Sequence, residues 1–320
     1  MTMFGDQVYQ YGGAPVNGLF TTGPVHFIKP STGSNNNRGK QPDDAVATLA
    51  KGLSLTTADK NSLVYLVSED NSASGTTARI SLATFDWNKD GTKLIGVASG
   101  GMIGSRARIS NTADATDVSP LMTWSASNGS MQNIHVFYGE ADAGDLGCFS
   151  VTGDRNYFKN CHFAGIGDAT QDAAGAYSLL VTGDENLFED CVIGLDTIGR
   201  GSAANSELLM SGTATRNIFR RCIFLTYAEA AAHQFLIIGT LGIDRWVLFD
   251  DCTFINSVDA GATAMTEAFD LATTIGGSVL LKDCALFGAT EWEAGDTGEI
   301  LIVGASGIAA TSGIGIEPAV

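Results

Sequence analysis

Five cysteines recur at near-constant spacing: Cys161, Cys191, Cys222, Cys252 and Cys284 are separated by 30, 31, 30 and 32 residues. A column of thiols is able to bind a soft cation or to cross-link, yet zinc sites want closely paired cysteines of the Cys-x-x-Cys type, and the chain has none. Each cysteine is followed two positions later by an apolar residue, with Phe163, Phe224 and Phe254 among them. The ladder therefore reads as small inward-facing core residues, since buried cysteine behaves as a modest hydrophobe. His135 and His162 share one slot of the repeat, but Val192, Ile223, Thr253 and Ala285 follow there, so no ligand set accumulates. His26 and His233 stand apart. The doublets Glu189-Asp190 and Asp250-Asp251 are able to serve as acid and base. The loop acids Asp142, Asp145, Asp168, Asp172, Glu291, Glu293 and Asp296 fall where a cleft would form. Neither set makes a constellation, and there is no nucleophile motif or phosphate loop. The reading assigns no catalytic, cofactor or metal residue and expects a non-enzymatic chain without cofactors.

The elements that position these residues are legible from the same repeat. Phe158 to Phe163 recurs as Phe188 to Ile193, Phe219 to Phe224, Phe249 to Phe254 and Leu281 to Leu286, with a degenerate earlier copy at Asn133 to Val136. A second apolar run precedes each copy, such as Cys148 to Gly153, Ser178 to Gly183, Glu207 to Gly212 and Phe235 to Gly239. Short runs rich in branched and aromatic residues, bounded by Gly and Asx, are strands. A unit of about thirty residues with two or three short strands cannot bury its own apolar face and must stack on its neighbours. The spacing thus predicts an all-β chain, a right-handed parallel β-helix with parallel strands about 4.8 Å apart. The outward residues Lys159, Glu189, Arg220, Asp250 and Lys282 alternate in sign from turn to turn, as stacked ionic columns require.

The chain has 320 residues, 44% of them hydrophobic, with 39 glycines and a formal net charge of -17. That charge argues against nucleic acid and anionic membranes as partners. No apolar run approaches the roughly 20 residues that span a bilayer, and the N-terminus lacks a secretory leader. Bacterial cytoplasmic synthesis and reduced thiols are then expected.

Residues 1–24 read as an extended arm whose Phe4, Tyr9, Tyr11, Leu19 and Phe20 are suited to an assembly contact. Residues 25–120 read as a capping helix from Asp43 to Leu53, with its apolar face at Ala45, Val46, Leu49, Ala50 and Leu53, plus irregular first turns. Strands are expected at Val25 onward, Leu63 to Val67 and Lys93 to Val97. Regular turns occupy 121–304 and a Gly/Ala-rich tail 305–320.

This order of parts resembles the parallel β-helix family of phage structural proteins, through Lys29-Pro30-Ser31-Thr32-Gly33-Ser34-Asn35, the helix, Ile95-Gly96-Val97 and the repeated Asn/Asp-Cys-x-Phe strand. The same fold hosts pectin lyases, tailspike glycosidases and capsid proteins. Because the layout leaves two short arms and no large flanking domain, the resemblance implies a capsid decoration or cement protein on the virion surface. Its expected partners are the major capsid protein and other copies of itself, as a trimer. The alternatives are a tailspike or fibre-type receptor-binding protein and a β-helix polysaccharide lyase or hydrolase.

Overall fold

The structure, a computed structural model, describes residues 21–68, 77–80, 83–98, 106–112, 117–202, 204–294 and 300–303. The proposed assembly residues Phe4, Tyr9, Tyr11, Leu19 and Phe20, and the tail 305–320, lie outside them. The chain winds into a right-handed parallel β-solenoid of about seven turns with three long sheets, of seven, ten and eight strands, and a short parallel pair, Met265–Glu267 with Ala289–Glu291. We call the long sheets I, II and III in the order in which a turn visits them. One turn shows the pattern: Gly147–Val151 lies in sheet I, Tyr157–Lys159 in sheet II and His162–Ala164 in sheet III.

Each copy of the repeated motif therefore holds two strands rather than one. A corner of one or two residues separates them, and Asn133, Asn160, Asp190, Arg221, Asp251 and Asp283 take its first position with φ between 49° and 57°. Asn and Asp tolerate the left-handed region because their short polar side chains bond locally. Arg221 is the exception at this corner, and its guanidinium bonds Glu189 and Asp190 of the previous turn at 2.7 and 2.8 Å.

The parallel register sets like upon like. Phe158, Phe188, Phe219, Phe249 and Leu281 are direct partners. Their rings stack at centroid distances of 4.8, 4.6 and 5.1 Å for the three phenylalanine pairs. Phe163, Phe224 and Phe254 meet that column from sheet III, and Phe149 from sheet I. The cysteine column fills the inner side of the corner. The Cys191, Cys222 and Cys252 thiols each donate to a phenylalanine carbonyl one turn back, at 3.5, 3.5 and 3.3 Å. A larger residue would overfill this corner and a hydroxyl would be costlier to bury, which explains the recurrence of cysteine.

A second ladder runs along the turn between sheets I and II. The Asn156 amide N–H donates to Asn186 Oδ1, and the Asn186 N–H to Asn217 Oδ1, each at 2.9 Å. All three asparagines are buried. They satisfy backbone groups that the tight turn would otherwise leave without partners.

The N-terminal end departs from the expected helix. Pro42–Asp44 is one 3-10 turn, Val46 is extended and bonded to the Val25–Ile28 strand, and the α-helix is Leu49–Leu55. Thr48, not the aspartate pair, is the N-cap, accepting from the Lys51 N–H at 3.2 Å. Ala50 consequently faces solvent, and Leu49, Gly52 and Leu53 cover the core. Gly52 is required by closeness: a Cβ there would lie 2.4 Å from Ile28 Cδ1.

Phe219→Ala is expected to cost about 3–5 kcal/mol, because the cavity would open in the middle of a continuous stack with no flexible neighbour to fill it. Urea unfolding checks this, and a loss below about 1 kcal/mol would show that the column is not a packed core.

Candidate functional site

The outer face of sheet I is a column of direct partners: Asp86, Thr123, Ser150, Leu180, Leu209, Ile237 and Asp270. Its two carboxylates stand at opposite ends, six strand steps or about 29 Å apart. They cannot share one glycosidic bond, which needs carboxyl groups within about 10 Å. Between them Thr123, Leu180, Leu209 and Ile237 are partly exposed and Ser150 is buried, so what this face offers is a mainly branched aliphatic strip.

The outer face of sheet II carries the ionic columns. Lys159 pairs with Glu189 at 3.3 Å, Arg220 with Asp250 at 3.1 Å and Lys282 with Asp250 at 2.6 Å. The Tyr157 hydroxyl, with Arg221 and Lys159, holds Glu189 down at about 2. Lys282, with Arg220, holds Asp250 below the usual carboxylate range. One member of each doublet, Glu189 and Asp250, is thus held ionised within the stack and poorly suited to donate a proton at neutral pH. Beside them runs a partly exposed apolar column of Tyr157, Leu187, Ile218, Leu248 and Leu280.

A buried polar centre joins the loops between sheets III and I, and here His233 is not isolated. Glu207 accepts from the Ser178 hydroxyl at 2.6 Å and from the Thr226 hydroxyl at 3.0 Å. Thr226 Oγ1 lies 2.8 Å from His233 Nε2. Since the Thr226 proton goes to Glu207, the imidazole proton belongs on Nε2. Arg200 Nη1 contacts Glu207 at 3.1 Å, and Asp172 receives the Gly201 N–H at 2.7 Å while facing Arg200 Nε at 3.8 Å. Ser178, Arg200, Glu207, Thr226 and His233 are all fully buried. Burial raises the Glu207 carboxyl, but the Arg200 charge and the donors around it outweigh that and leave it below its ordinary value. Burial keeps His233 neutral. With no path for a substrate, this network is a clasp between consecutive loops. Its sequence signal was one charged residue, Glu207, in a column otherwise occupied by Cys148, Ser178 and Phe235.

On sheet III, His135 and His162 stack at 4.6 Å, both buried, and desolvation with the cations beside it drives His135 down to about 2. Among the described residues no group of three or more His, Cys, Asp or Glu side chains is arranged to hold a metal. Burial pushes the Cys161 and Cys222 thiols of the ladder upward. Of the loop acids, Asp168 caps a short 3-10 turn, Asp142 receives the Gly144 N–H, Asp145 is buried and Asp172 belongs to the clasp. Asp296 lies outside the described residues.

No protein-family model matches the chain. No curated protein matches it either. Solved structures do. A pectin methylesterase in complex with a hexasaccharide superposes with a TM-score of 0.55 and 14% identity, over 92% of this chain and 93% of its own. The Aspergillus niger pectin methylesterase gives 0.52 and 15%, over 91% and 94%. A rhamnogalacturonan lyase gives 0.51 and 16%, over 82% and 68%. A chain of Geobacillus virus E2 aligns at 0.40, too low to bear on function. At these identities the likeness is one of fold, the parallel β-helix. It overturns one expectation: pectin methylesterases and a lyase are built on this scaffold along nearly its whole length, so the non-enzymatic reading of this chain is withdrawn.

Two outcomes test the clasp. Glu207→Gln removes the nearer and fully buried of the two carboxylates facing the Arg200 guanidinium and is expected to destabilise by about 3–5 kcal/mol in urea unfolding. Stability should also fall on acidification. Unfolded imidazoles take up protons below about pH 6.5 while folded His135 and His233 resist, at about 1.4 kcal/mol per histidine per pH unit. An unchanged urea midpoint between about pH 7.5 and pH 5 would contradict the neutral assignment.

Proposed function

We propose that the chain is a polysaccharide-engaging β-helix, which holds an extended glycan along the solenoid and either modifies it or docks on it as a receptor. The observation that carries this reading is the shared architecture: nine-tenths of the chain follows the path of a pectin methylesterase solved with a hexasaccharide. The sheet I strip agrees with it, because the partly exposed Thr123, Leu180, Leu209 and Ile237, in a row about 19 Å long, suit the apolar faces of a sugar chain. Incubation of the full chain with a panel of uronate-containing and neutral polysaccharides tests the reading. Release of reducing ends, unsaturated products or methanol, or saturable retention on an immobilised glycan, is the expected result. Neither turnover nor retention across the panel would remove it.

A second reading is favoured by the sheet II face. A flat apolar column, Tyr157 to Leu280, flanked by ionic columns is the composition of a protein-docking surface. It fits a decoration or cement protein on a phage head, facing the major capsid protein and assembled as a trimer. Added to expanded heads that lack it, the purified chain is then expected at fixed shell positions in cryo-electron micrographs, and Leu248→Asp should prevent that binding while leaving glycan retention intact.

A further inference from the structure

The outer face of sheet II is banded in charge. Arg155 and Lys159 make one turn positive, and Glu185, Glu189 and Asp190 make the next negative. Arg216, Arg220 and Arg221 follow as a positive band, and Asp250 and Asp251 as a negative one. The two flanks of the apolar column therefore alternate in phase. Arg155, Glu185 and Arg216 run along one side of Tyr157, Leu187 and Ile218, and Lys159, Glu189 and Arg220 along the other. Arg155, Lys159, Glu185, Asp190, Arg216, Arg220 and Arg221 keep between 35% and 53% of their side chains exposed, so pairing within the chain leaves them within reach of a second partner.

Bands with a period of about 4.8 Å are matched by a surface of the same period and opposite phase, and a second copy of the chain supplies both. Its orientation follows from the signs. A two-fold axis along the solenoid sets every turn against itself, like on like. An axis across the solenoid that passes through a strand does the same, because turns equally far from it are an even number of steps apart. An axis between two strands joins turns an odd number of steps apart, and these are opposite in sign. Placed between Leu187–Glu189 and Asn217–Arg220, it sets Glu185 against Arg216, Glu189 against Arg220, Asp190 against Arg221 and Lys159 against Asp250 of the other copy. Leu187 then meets Ile218 and Tyr157 meets Leu248, while Arg155 faces the partly exposed Trp246 ring. The next axis along, between Asn217–Arg220 and Arg245–Asp250, would set Asp190 against Asp283.

We infer that the outer face of sheet II is a self-complementary interface, on which a second copy of the chain docks antiparallel about a two-fold axis between the strands Leu187–Glu189 and Asn217–Arg220. The apolar column supplies the attraction, and the charge bands fix orientation and register. Such an interface is isologous and closes at two copies. From Ser130–Gln132 to Gly277–Lys282 the face is six strands by about five residues, roughly 29 by 17 Å, so the pair buries roughly 1,000 Å² in total. That is the lower bound of a specific interface, which makes the dimer reversible on dilution. The four bands hold five cations and five anions, and the chain's remaining negative charge lies elsewhere, screened beyond about 8 Å at physiological salt. Sheet I stays open in the pair. The capsid protein of the second reading would need the face that the second copy covers, so the two occupants are alternatives.

Sedimentation velocity on the full chain tests this across a range of concentrations, with circular dichroism as the check on folding. A dimer whose share grows with concentration is expected. Arg216→Glu and Glu185→Arg should each weaken it at least tenfold, since each variant puts like charges against each other across the axis. An equimolar mixture of the two variants should restore it, because one chain then offers acid at both positions and the other offers base. A purely structural role for these side chains would not produce that recovery. Leu248→Asp, at the apolar centre, supplies the further variant if a charge variant fails to fold, and Thr123→Glu on sheet I should leave the dimer unchanged. A monomer at every concentration, a dimer that survives the folded variants, or a mixture that stays monomeric would overturn the proposal. A monomer that binds phage heads and loses them with Leu248→Asp would overturn it in favour of the capsid protein as occupant.

Discussion

Every residue of the regular turns has its own equivalent as neighbour, about 4.8 Å above and below, because the three sheets are parallel and in register. This constraint selects residues that tolerate self-association. Phenylalanine stacks on phenylalanine, a thiol reaches the carbonyl of the previous turn, and buried asparagine bonds the next turn's backbone. Charges do not tolerate it. Lys159, Glu189, Arg220, Asp250 and Lys282 alternate, so that each finds an opposite neighbour where an unbroken series of one sign would push turns apart.

Departures from that rule mark the places where something other than stacking is at work. Glu207 interrupts a column of small and apolar residues, and Arg200, Ser178, Thr226 and His233 close around it, so the interruption joins loops of different turns. Arg108 above His135 sets a guanidinium against a neutral, buried imidazole, with no acid paired to Arg108 among the described residues. The first departure closes on itself through the Arg200–Glu207 ion pair and the hydroxyls of Ser178 and Thr226. The second is held by packing, with the Arg108 guanidinium over the Phe137 ring and the two imidazoles stacked.

The repeat carried most of the fold because the inward positions are under the same constraint at each turn. Phe158 and Cys161 announce their successors at 188, 191, 219 and 222. The third strand was hidden by the brevity of its corner, one left-handed residue such as Asn160 instead of a recognisable turn. The helix start was displaced by Pro42-Asp43-Asp44, a good opening on local grounds that loses to the backbone pairing of Val46 with the first strand. The clasp was not legible, since Arg200 and Asp172 come from loops that differ between turns and meet only through winding. The sheet III cations lie where the repeat is still irregular, so no column in the sequence sets Arg108 beside His135.

The cap helix Leu49–Leu55 has a further consequence for how copies of the solenoid meet. At that end the edge of the Val25–Ile28 strand is engaged by Val46, and Leu49 and Leu53 seal the core. At the other end, among the described residues, sheets I and III finish with the strands Phe269–Leu271 and Ala285–Phe287, where Phe287 is 43% exposed. Head-to-tail growth would need one open end to receive the other, as in an amyloid-like filament. With the Val25–Ile28 end covered in this way, head-to-tail stacking lacks one of the two faces it needs, and the solenoid is not a unit that repeats itself along its own axis.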